Sequence, residues 1–140
     1  MRARDRAQAG MEARLLAHAR PREAAAVLRQ SGAGAPALVY VITHADLCAA
    51  KIGVSDPAGA RIAQHRRAGW QLIAAFRVAA EEAAAIVDDV LRWWRADLGL
   101  PAFLTSDQMP QDGWTETVAA GSINLASTVA HVCELALMTV

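Results

Sequence analysis

The sequence predicts an α+β fold, with a small three-stranded, mostly antiparallel sheet flanked by helices. Three short runs rich in β-branched and aromatic residues, at 37–43, 49–54 and 71–78, supply the strands. A helix between the second and third runs, and a longer one over 80–98, rule out a simple chain of hairpins. About a quarter of the 140 residues are alanine, which favours helix wherever those runs are absent. The length suits one hydrophobic core rather than two.

Residues 3–31 read as two helices interrupted at Pro21, with Leu15, Leu16 and Ala19 and then Ala26, Val27 and Leu28 as their apolar positions. Pro21 suits the first turn of the second helix, and Glu23 suits the positive end of its dipole. The linker Ser31-Gly-Ala-Gly-Ala-Pro36 follows. After the first strand, His44 to Asp46 make a polar turn into the second. Asp56 is a candidate N-cap with Pro57 at the first helical position, and Gly69 ends that helix near Ala68. The helix over 80–98 carries Ile86, Val87, Val90, Leu91 and Trp94 on one broad apolar face, and Gly99 and Pro101 terminate it. Thr105 to Gln108 suggest a short helix start, and Trp114 to Val118 a short extended piece. A last helix over 123–138 sets Leu125, Val129, Val132 and Ala136 on one side. The expected organisation is a basic helical arm (1–35), a central domain (36–118) and a C-terminal helical extension (119–140).

A hydrophobic fraction of 54% excludes a disordered tail. The formal net charge of zero hides an asymmetry. Up to Ala35 seven arginines face three acids, while the remainder carries seven basic residues against eleven acids. No global field draws nucleic acid, so any such binding must use local clusters. The N-terminus lacks an apolar stretch, and the charge-poor segment 117–133 is broken by polar residues. Cys48 and Cys133 lie far apart without CxxC spacing, so two reduced thiols are expected, Cys133 as a small buried apolar residue. These features predict a cytoplasmic protein with no membrane partner.

The candidate chemistry lies in the central domain. The chain has one tyrosine, Tyr40, and one lysine, Lys51, both on the first two strands. Arg61 and His65 stand four apart on the following helix and so share a face. Arg66 and Arg67 extend that cluster as candidate phosphate contacts without sequence preference. Cations beside a proton acceptor are the parts that phosphodiester cleavage needs, usually with a divalent metal. Asp88 and Asp89 are placed to pair with Arg92 on the surface.

Over residues 37–118 the sequence resembles the GIY-YIG nuclease superfamily, in its phage and bacterial branch whose second motif reads KIG. Val39-Tyr40-Val41 stands at the first motif and Lys51-Ile52-Gly53 at the second, with Arg61 and His65 at the helical arginine and histidine and Gly69 to Leu72 leading into the third strand. The resemblance implies a DNA endonuclease using magnesium or manganese. Tyr40 would handle the attacking water, Lys51 and Arg61 the phosphate charge, and His65 the proton. It also implies a metal-binding glutamate on the long helix, where this sequence has Val87. Valine offers no oxygen to magnesium. The alternative reading is therefore a catalytically inactive nucleic-acid-binding module on the same fold.

Overall fold

The computed structural model describes residues 35–138, so the predicted helices of the basic arm fall outside the described part. The elements run β1 (Pro36–His44), β2 (Ala49–Ser55), α1 (Ala60–Arg67), β3 (Gln71–Ala79), α2 (Ala80–Arg92), β4 (Thr117–Ala119) and α3 (Leu125–Leu137). They form an α+β fold with a four-stranded antiparallel sheet in the order β3-β1-β2-β4. The sequence predicts three strands; the fourth is the extended piece after Trp114, whose β-branched Thr117 and Val118 pair with Lys51 and Ala50.

β1 is central, and its run of buried residues reflects cover on both faces. It pairs with β2 from Leu38 opposite Ser55 to His44 opposite Ala49. Against β3 the register shifts between Val41 and Ile42, leaving Ile73 as the extra residue of a bulge. Because side chains alternate along a strand, Val39 and Val41 face one way and Tyr40 and Ile42 the other. The same alternation puts Ile52 and Val54 with the valines, and Lys51 and Gly53 with Tyr40.

The first face is the main core. There α2 lays Ala83, Ile86, Val87, Val90 and Leu91 against the valines, and α3 adds Val132 and Ala136. The C-terminal helix thus shares the core of the central domain. Asn124 caps it by accepting from the Ser127 N–H at 2.9 Å. Glu81 and Glu82 occupy the first turn of α2, at the positive end of its dipole. The helix expected to reach Leu98 keeps α geometry only to Arg92 and then widens into a π-helical turn over Trp93–Asp97. That turn holds Trp94 in the core with no exposure and sends Arg95 toward β4. Asp89 contacts His131 of α3 at 3.4 Å.

The second face is covered by α1 and by residues 98–113, here called the strap. α1 begins at Ala60, three residues later than its proline suggests. Gly59, at φ 79°, first completes a turn whose N–H donates to the Asp56 carbonyl. Asp56 then accepts from Ala60 N–H at 2.7 Å and the Ser55 hydroxyl accepts from Arg61 N–H at 3.2 Å. The strap forms turns rather than the short helix expected at Thr105. It drops Leu104 and Met109 into a small cluster with Tyr40, Ile42, Ala49, Ile62 and Trp70. Cys48 is exposed, while Cys133 is half-buried rather than in the core. Among the described residues no helix is long and apolar enough to cross a membrane.

Candidate functional site

Four of the residues singled out in the sequence meet on the second face. Tyr40 comes from β1, Lys51 from β2, and Arg61 and His65 from α1. The Lys51 ammonium donates to the Tyr40 oxygen at 3.1 Å, and His65 Nε2 lies 3.0 Å from that same oxygen. Gly53 makes this possible. It sits directly opposite Tyr40, and a Cβ there would collide with the phenol oxygen and the ammonium. The second motif is therefore one steric unit, with a lysine pointing in and a glycine leaving room for the tyrosine.

The fifth member is not one that the sequence singles out. Glu116, just before β4, accepts from Lys51 Nζ at 2.7 Å across 65 residues of chain. Lys51 spends its third donor on the Ile52 carbonyl at 3.2 Å. An ammonium has three donors, so none remains for a phosphate, contrary to the role the motif suggests. Tyr40, Lys51 and His65 have no exposed surface and Glu116 has 1%.

The strap closes this cluster. Gly113, at φ 105°, lies against the Lys51 side chain, where a Cβ would strike Cε. Gln111 accepts from Arg61 Nη1 through its carbonyl at 3.1 Å, and its amide lies 3.4 Å from His65 Nδ1. If the amide nitrogen faces Nδ1, His65 carries its proton on Nε2 and donates to Tyr40. The phenol oxygen then accepts from both Lys51 and His65, an arrangement that stabilises negative charge there. Arg61 is half-buried at the edge, and Arg66 and Arg67 are exposed in the last turn of α1.

Arg95 braces Glu116 from behind. It donates to the carbonyls of Leu100, Thr115 and Thr117 at 3.0, 2.8 and 2.9 Å, fixing the chain on both sides of the glutamate. Burial pushes its guanidinium below the ordinary value, and the nearby Glu116 charge works against that shift.

The residues here do not fit the divalent ion that the resemblance implies. Magnesium needs several oxygen ligands in near-octahedral array. Val87 is fully buried in the apolar core on the opposite face from Tyr40, so that helix position cannot reach the cluster even as a carboxylate. Asp89, on the same helix, meets His131. Glu116, the carboxylate in the cluster, is engaged by an ammonium. Among the described residues no group of three or more His, Cys, Asp or Glu side chains is placed to hold a metal.

No family model, curated protein or solved structure matches the chain. The resemblance to GIY-YIG nucleases therefore rests on the motif residues of the sequence alone.

Proposed function

We propose that this domain binds nucleic acid through α1 and hydrolyses a phosphodiester at the Tyr40–His65–Arg61 cluster, in the manner of a GIY-YIG nuclease. The observation that carries the reading is convergence. A lysine and a histidine from two elements meet the phenol oxygen of a tyrosine from a third, and an arginine from the histidine's helix joins them at the edge through Gln111. Stability alone is a poor reason for it, since a buried lysine–glutamate pair gains little over two well-packed apolar side chains.

In this reading Arg66 and Arg67 attract the backbone, and Arg61 leaves the Gln111 carbonyl for the scissile phosphate. Water attacks phosphorus and gives its proton to the Tyr40–His65 pair. The P–O bond to the leaving group breaks, and the departing oxygen takes up a proton from solvent. Burial of Tyr40 and His65 requires the strap to lift before substrate arrives. Plasmid nicking by wild type and Arg61→Ala, in magnesium, manganese and EDTA, is the test. Activity confined to wild type supports the reading, and equal background in both removes it.

A second reading, binding without cleavage, is favoured by one contrast. Arg66 and Arg67 face solvent while Tyr40, Lys51 and His65 are covered. Salt-sensitive DNA binding with no nicking in any of those buffers selects it.

A further inference from the structure

We infer that the Lys51 ammonium itself takes the cation position of this site, so that the site works without a divalent ion. The inference rests on the cleavage reading above for its chemical meaning, but its geometry is independent of it. Around Nζ lie a carboxylate oxygen of Glu116 at 2.7 Å, the Tyr40 oxygen at 3.1 Å and the Ile52 carbonyl oxygen at 3.2 Å. A carboxylate, a carbonyl and a hydroxyl are the donor types that hold a hard cation. The spacing, however, is that of charge-assisted hydrogen bonds rather than the roughly 2.0–2.6 Å of magnesium or calcium.

The ammonium is fully enclosed by the protein. Nζ also sits 5.0 Å from the Tyr40 ring centroid, and a Cβ at Gly53 would strike Nζ while one at Gly113 would strike Cε. A divalent ion would have to displace a fully buried lysine from Glu116, and among the described residues no group of three or more His, Cys, Asp or Glu side chains stands ready to hold it. Lys51 is accordingly a positioning residue. It fixes the Tyr40 oxygen and neutralises Glu116, which leaves Arg61, Arg66 and Arg67 to carry the charge that meets phosphate.

The consequence is a reciprocal relation between Lys51 and metal binding, read by calorimetric titration with Mn²⁺ alone. Wild type is expected to show no stoichiometric site. Lys51→Ala removes the ammonium from among three oxygens and should gain one Mn²⁺ per chain, lost again when Glu116→Gln is added. A wild-type site that Glu116→Gln abolishes overturns the inference. So does a folded Lys51→Ala protein that gains none. Should Lys51→Ala fail to fold, the comparison of wild type with Glu116→Gln decides alone. Nicking adds a separate readout: a rate unchanged by EDTA supports the inference, and a rate abolished by EDTA and restored by magnesium overturns it. Absence of nicking in every buffer removes the cleavage reading, while the Mn²⁺ titration still decides whether lysine fills the cation position.

Discussion

On one face of the sheet Val39, Val41, Ile52 and Val54 meet α2 and α3 through side chains that are almost wholly apolar. On the other, Tyr40, Lys51, His65 and Glu116 meet under α1 and the strap, equally sealed from water but joined by hydrogen bonds. The first face gains stability from area removed from water and from close packing, and it tolerates no charge. The second stands only while every donor has its acceptor, because an unpaired buried ion costs more than a pair contributes. Burial alone does not separate a core from a site. Completeness of hydrogen bonding around ionisable groups, together with a cationic edge at Arg61, Arg66 and Arg67, is what distinguishes the second face and makes it the candidate site.

Exchanging the rules of the two faces should give the largest effect. Val87→Glu places a carboxylate amid Ile86, Val90 and the sheet valines, in a cluster of apolar side chains. A loss above about 4 kcal/mol is expected in denaturant unfolding, with no gain in nicking. Recovered activity would mean that α2 turns this position toward Tyr40, and the two-face description would fall.

Breaking the pair on the polar face comes next. Glu116→Gln leaves the Lys51 ammonium buried without its counter-charge and should cost about 3 kcal/mol. Lys51→Met combined with Glu116→Leu should recover most of that stability while removing the Tyr40 hydrogen bond. A double variant no more stable than Glu116→Gln alone, by equilibrium unfolding, would show that the pair contributes more than charge balance.

Gly53→Ala probes the steric limit of the same face. The added methyl must push back the Tyr40 hydroxyl and the ammonium, at a cost of about 2 kcal/mol. The Tyr40–His65 contact should be disturbed with it, visible in the His65 ring resonances. Unchanged stability and unchanged resonances together would show the glycine to be incidental.

Most strands, and four of the five cluster residues, are legible in the sequence for physical reasons. Strand alternation aligns Tyr40 with Lys51, and helical spacing joins Arg61 to His65. Glu116 escapes such reading because its partner lies 65 residues away and no local period links them. One signal is present. A single lysine on a strand needs an anion once buried, and Glu116 is the acid beside the short extended piece after Trp114. Val87 carries its own answer as well, since it belongs to the apolar stripe of its helix and a stripe faces a core. The strap has neither period, so its cover over the cluster is visible only in three dimensions.

The smallest effect on stability is expected at Arg66 and Arg67, and it sharpens the contrast between the sealed cluster and its open edge. Both side chains are exposed at the end of α1, so Arg66→Ala and Arg67→Ala should each shift stability by no more than about 0.5 kcal/mol. Their effect on DNA affinity is a different quantity. For each phosphate that a variant no longer neutralises, the dependence of log affinity on log salt should flatten by about 0.9 for duplex DNA. Because Lys51 spends its donors inside the protein, Lys51→Met should leave that slope unchanged even if it lowers activity. The basic arm supplies the remaining variable, since seven of the chain's arginines precede Ala35. Removing residues 1–34 should change the slope less than the two arginine variants combined if the α1 edge is the main contact. A slope that follows the arm and ignores Arg66 and Arg67 would move the nucleic-acid surface away from the cluster. Affinity indifferent to salt in every variant would remove nucleic acid as the partner altogether.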